Sequence, residues 1–182
     1  MHADLSFARL DHLKAADACF SNATLFKANL ADADLTRANL REARLTGIQA
    51  GRARFEEANF YQATLKNAVL TNACLIRANL MNADLAGADL TEANLEDAIL
   101  VGANLSWASL VRANLRGAIL NGAILLDADF DQAQVALTSF KDAQWCPFTD
   151  QTRLVGAPLL PPPPAGPRPD SHPDKPTASA PA

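Results

Sequence analysis

Between residues 83 and 100 the chain reads ADLAGADLTEANLEDAIL, with leucine at Leu85, Leu90, Leu95 and Leu100 and alanine two places before each. Large apolar residues keep to the same positions at Leu5 and Leu10, from Phe20 to Leu45, and from Phe55 through Leu125 to Trp145. A helix cannot line them up, because five residues turn it by roughly 500° and leave successive leucines about 140° apart. A plain strand fails too, since side chains five apart point to opposite faces. The inward positions are separated by two residues and then by three. The step of two is strand-like and the step of three takes in a turn, so the pattern predicts short extended pieces joined by corners that always turn the same way. Such a backbone coils into a solenoid whose successive coils hydrogen-bond about 4.8 Å apart.

The register falters twice, and both times it compensates. Leu13 and Ala15, and again Ile48 and Ala50, exchange the large and small positions, which preserves core volume. Each buried Leu or Phe is expected to contribute about 1.5–3 kcal/mol, ample for a stable domain.

The segments ANLADADLTRANL and ADLAGADLTEANL resemble the A(D/N)LXX motif of the pentapeptide-repeat proteins, a resemblance that runs from residue 3 to about residue 150. It implies an all-β fold, a right-handed quadrilateral β-helix with four pentapeptides in each coil. About seven coils would make a rod roughly 34 Å long. The period alone leaves the number of sides open.

The solenoid is expected to occupy residues 1–156, with a C-terminal cap over residues 145–156. There Trp145 and Phe148 still hold inward phases, Pro147 interrupts pairing, and Asp150 stands where leucine belongs. From Ala157 the chain turns to APLLPPPPAGPRPDSHPDKPTASAPA. Proline bars helix and central strand, and little apolar surface is left to bury, so residues 157–182 are expected to be a disordered tail, partly polyproline II.

With four pentapeptides per coil, residues twenty apart stack on one face. Asp17, Arg37, Glu57, Arg77 and Asp97 then form a column of alternating sign, and Asn39, Asn59 and Asn79 an asparagine ladder. Arg41, Arg44, Arg52 and Arg54 fall on four different faces, a ring of separated charges rather than a phosphate-tracking groove. The later coils carry outward apolar residues. Ile99, Val101 and Ile119 share one face, and Trp107, Ile124 and Leu126 lie around the adjacent corner, forming a candidate interface. Asp89, Glu92, Asp129 and Asp131 share another side, a candidate acidic face.

Composition narrows the chemistry. A net charge of -4 over 182 residues argues against a dedicated nucleic-acid binder. The three cysteines, Cys19, Cys74 and Cys146, have no metal-ligand spacing and read as free thiols of a cytoplasmic protein. No secretory signal or membrane-spanning run is visible. Of the histidines, His2 is terminal, His172 lies in the tail, and His12 alone sits on the body, with no nucleophile turn or phosphate loop beside it. A convex rod filled by its own side chains offers no cleft for a reaction.

The expectation is therefore a non-enzymatic solenoid without cofactor or metal. It would present flat faces to an unidentified protein partner, or to a second copy through its C-terminal coils. The resemblance adds an alternative. Some pentapeptide-repeat proteins match duplex DNA in width and charge and bind DNA gyrase in its place, inhibiting it or protecting it from quinolones. The acidic face would carry that activity here.

Overall fold

A computed structural model describes residues 3–145. Parallel bridges join the outward residue before each inward leucine position to the one twenty places on, from Asp4↔Thr24 to Ile119↔Ser139. The last rung is two residues long, β1 (Ile124–Leu125) pairing in parallel with β2 (Gln144–Trp145). Twenty residues close one coil, so four pentapeptides give it four sides, and the question left open by the period is answered.

The residues from Ala33 to Arg37 show why the repeat has its composition. The N–H of Ala33 closes a turn onto the carbonyl of Leu30, 3.1 Å away. That of Asp34 donates to Leu13 in the preceding coil at 2.7 Å. Those of Leu35 and Arg37 donate to Arg54 and Glu56 in the following coil, both at 2.8 Å. One N–H of the five, that of Thr36, meets no carbonyl among the described residues. It donates instead to Oδ1 of Asp34, two residues back, at 3.2 Å. The Asp or Asn before each leucine is thus the acceptor for the one backbone donor that the ladder leaves over. Asn29, Asn39, Asn59, Asn79, Asp84, Asp89, Asn94, Asn104, Asn114 and Asp129 do the same in their own repeats.

Each side ends in a β-turn whose third residue is left-handed, with φ between 53° and 70° along the chain. An L-residue there costs about 1–2 kcal/mol, offset by the turn bond and by the corner N–H that reaches the next coil. Inside, alanine and leucine alternate and are almost wholly buried from Ala23 onward. In the coil where Ala50 takes a leucine's place, the rings of Phe55 and Phe60 fill the interior, edge-on with centroids 5.2 Å apart. Leu5, Leu10, Leu13, Ala15 and Phe20 are only partly buried, since no described coil lies beneath them.

At the other end Trp145 is 6% exposed and packs on Phe130 and Phe140, with centroids 5.4 and 5.0 Å away. It belongs to the core, and its Nε1–H has no partner among the described residues. Phe148, the rest of the expected cap and the proline-rich segment 157–182 lie outside the described residues.

Candidate interaction surface

The outward residues fall into columns. The first face holds residues 4 and 6 and their equivalents at steps of twenty, with residue 7 at its corner. The second face begins at residues 9 and 11, the third at 14 and 16, and the fourth at 19 and 21.

The six candidate interface residues fall on two adjoining sides of the later coils. Ile99 and Ile119 are bridge partners on the fourth face, with Val101 beside Ile99 on the same side. Gly102 and Gly122 form the next corner, with φ of 65° and 66°. Beyond it on the first face stand Ile124 and Leu126, and the N–H of Trp107 donates to the carbonyl of Leu126 at 2.8 Å. Corner side chains would stand between the two groups, and Gly122 leaves its part of that edge low. A Cβ on Gly122 would meet nothing within 4 Å, and the room at Gly102 is taken by Asn82 Oδ1 from the coil below. Trp107 is 66% exposed, Leu126 39% and Ile119 37%. Phe7 and Leu137, 66% and 79% exposed, are not distinguished by the sequence pattern. Phe7 lies in the first coil, against Phe26 and away from the patch, whereas Leu137 stands on the corner that borders the fourth face, two residues before Ser139, the bridge partner of Ile119.

The four acidic candidates share the second side, but not as a continuous strip. Ser109 bridges to Asp129 and to Asp89, standing between them. Glu92 is paired with Arg112 at 2.6 Å. The carboxylates of Asp89 and Asp129 accept the N–H groups of Thr91 and Asp131, so each caps its own turn. Asp131 also accepts from Gln132 Nε2 at 3.3 Å.

The two expected ladders are corrected in detail. Arg37 grips Asp17 through two bonds of 2.7 Å, and Arg77 reaches Glu57 at 2.7 Å. The column keeps its alternating sign, with the direct contacts made in pairs. The same pairing across one coil recurs elsewhere, in Arg52 with Asp32 and Arg54 with Asp34, each arginine reaching back to the coil before. Asn39, Asn59 and Asn79 direct their side-chain oxygens to their own turns, and the asparagine-to-asparagine bond appears on the third face instead, from Asn114 Nδ2 to Asn94 Oδ1 at 3.0 Å.

Little here suggests reaction chemistry. Among the described residues no group of three or more His, Cys, Asp or Glu is placed to hold a metal ion, and no helix is long and apolar enough to cross a membrane. His12 is an exposed corner residue. Cys19 and Cys74 are free thiols. The hydroxyl of Ser21 and its N–H hold the Cys19 thiol below its ordinary value, whereas burial pushes that of Cys74 up.

Fold and surface together define a four-sided parallel β-solenoid with a five-residue period. The chain belongs to the pentapeptide-repeat family, matching its "Pentapeptide repeats" description in 8 copies over residues 1–41, 18–56, 51–87, 78–117, 98–134 and 108–143. The fold of that family is the right-handed quadrilateral β-helix, and its members are generally non-enzymatic structural repeat proteins. Among solved structures the chain is similar to HetL of Nostoc sp. strain PCC 7120, a pentapeptide-repeat protein involved in regulating heterocyst differentiation. The two are 34% identical over 79% of this chain and 74% of that one, with a TM-score of 0.49. It is also similar to Rfr23 of Cyanothece 51142, at 35% identity over 59% of this chain and 63% of that one, TM-score 0.38. QnrB1, a plasmid-mediated fluoroquinolone resistance protein, is 18% identical over 80% of this chain and 91% of that one, TM-score 0.43. No curated protein matches the chain.

Proposed function

We propose that this chain is a non-enzymatic interaction solenoid of about seven coils that docks a protein partner, or a second copy of itself, through its later coils. The observation that carries the reading is the apolar patch of Ile99, Val101 and Ile119, continued across the glycine corner by Ile124, Leu126 and Trp107. Fold does not account for it. The inward residues of these coils match those of the earlier ones, so isoleucine and tryptophan outside add nothing the solenoid requires.

Two variants test it. Ile119→Lys and Leu126→Lys change only partly exposed positions and are expected to leave the fold intact. Sedimentation velocity across micromolar concentrations is expected to show a self-associated wild type and monomeric variants. If the wild type is monomeric, a photo-crosslinker at position 119 is expected to capture a partner that the same group at position 77 does not. Equal crosslinking at both positions would sink the proposal.

The DNA-mimic alternative requires a long acidic surface spaced like phosphates. The Arg112–Glu92 pair and the gap at Ser109 weigh against it, and a gyrase supercoiling titration is expected to show no inhibition and no quinolone protection.

A further inference from the structure

The first face departs from the repeat over three successive coils. At residues 24, 44 and 64, where the motif places Asp or Asn, stand Thr24, Arg44 and Thr64, bridged one to the next. Above and below them the rule returns. Asp4 Oδ1 accepts the N–H of Ser6 at 3.0 Å, and Asp84 Oδ1 accepts that of Ala86 at 3.2 Å. Between them, the equivalent N–H groups of Phe26, Thr46 and Lys66 find no acceptor among the described residues.

Three further features coincide there. Thr24, Phe26, Arg44, Thr46 and Thr64 line a depression of about 340 Å³. Arg44 makes no ion pair among the described residues, a property it shares with Arg116, whereas Arg9, Arg37, Arg41, Arg52, Arg54, Arg77 and Arg112 all do. The acids of its own column, Asp4 and Asp84, are two coils away on either side, about 10 Å at the spacing of stacked strands. The floor is apolar at one edge, where the Phe26 ring lies against Phe7 and beneath the Lys27 ammonium.

An unpaired guanidinium, an unmet backbone donor on either side of it, three threonines and an aromatic wall make a place for one kind of group. We propose that this groove binds a small organic carboxylate. Its oxygens would sit on Arg44 and the Thr46 N–H, where the protein's own Asp carboxylates sit at residues 4 and 84, and its apolar body would lie on Phe26. Arginine and carboxylate match as a two-bonded, charge-assisted pair. The volume is at the small end of ligand pockets. The site lies on coils preceding the apolar patch and does not depend on what that patch binds.

The test is a titration of the full chain with phenylacetate, followed through the backbone amide resonances of Phe26, Thr46 and Lys66. Saturable shifts confined to these amides and their neighbours are expected, with neutral 2-phenylethanol giving none. Arg44→Met is expected to weaken binding at least tenfold. Arg44→Asn restores the repeat motif, so its own side chain should occupy the Thr46 N–H. It is expected to abolish binding while raising the unfolding midpoint, which separates loss of the site from loss of the fold. No saturable shift with phenylacetate, equal binding of the alcohol, or unchanged binding in Arg44→Met would each overturn the assignment. Inorganic phosphate binding as tightly as phenylacetate would overturn it as well, because the apolar body would then play no part.

Discussion

Residues 23–82 and residues 83–145 share one interior and differ in what covers it. In the earlier stretch charge ties the outward columns: Arg52 to Asp32, Arg54 to Asp34, and Arg77 to Glu57, each in the coil below. In the later stretch one such rung remains among the described residues, Arg112 to Glu92, and the fourth-face column that holds asparagine at 39, 59 and 79 turns to Ile99 and Ile119. Inside, Leu65 and Leu105 have the same burial, 0% exposed, and the same alanine neighbours. The solenoid therefore constrains two residues in five tightly and a third through its turn N–H. What varies among the rest is not set by folding, and that is the ground for proposing that the apolar groups of the later coils make contacts.

The sharpest way to break that comparison is in the core. Leu65→Ala and Leu105→Ala should each cost about 2–5 kcal/mol in urea unfolding, the range for a buried leucine emptied to alanine. The two losses should agree within about 0.5 kcal/mol, the tolerance at which independent sites are usually compared. A large difference would mean that the regions differ inside as well as outside.

The turn acceptors come next, and here the regions should separate. Asn59→Ala removes one bond, to the Tyr61 N–H at 3.0 Å, and is expected to cost about 0.5–2 kcal/mol by comparison with helix caps that meet a similar donor. Asn104 accepts two, from the Ser106 N–H at 3.1 Å and from its hydroxyl at 2.7 Å, and its Nδ2 donates to Asp84 Oδ1 at 3.2 Å. Ser106 is 4% exposed, so Asn104→Ala strands a buried hydroxyl and should cost more than Asn59→Ala. Equal costs would show that the bonds beyond the first contribute nothing.

The interior of this molecule is legible in its sequence nearly residue by residue. The inward phases hold through Trp145, because burial of one alanine and one leucine per five residues is dictated by the backbone's path. The exchange at Ile48 and Ala50 keeps both residues buried, as the compensation of large for small implies. That at Leu13 and Ala15 lies in a coil with nothing described beneath it, so exposure there reflects position in the stack rather than pattern. The outside is legible as addresses only. Stacking puts Ile99 over Ile119 and Arg37 over Asp17, yet it cannot say which neighbour a side chain will choose. Arg37 has acids both above and below and takes Asp17. The spacing of the asparagines permits a ladder, while their oxygens are drawn to a closer donor two residues on. The groove at Arg44 escapes the sequence for the same reason. Without knowing that the Asp/Asn position serves a backbone N–H, its replacement by Thr24, Arg44 and Thr64 carries no visible consequence.

The smallest expected effect is electrostatic, and it should again fall on the earlier coils. The hydroxyl and N–H of Ser6 hold the Asp4 carboxyl below the usual carboxylate range, and those of Thr36 do so for Asp34. Arg37 does the same for Asp17, and Arg52 for Asp32. A carboxyl depressed on folding stabilises the folded chain above its unfolded value, near about pH 3.9, and that stabilisation fades as the pH falls through the lower folded value. Acidification from pH 6 to pH 3 should therefore lower hydrogen-exchange protection, corrected for intrinsic rate, in residues 23–62 before residues 103–142. The same shift should shrink in 1 M salt, because these pairs stand in water and are screened. Protection lost evenly along the solenoid would mean that the arginine–aspartate rungs keep register without favouring the coils that bear them, and the contrast between the two regions would reduce to the apolar patch alone.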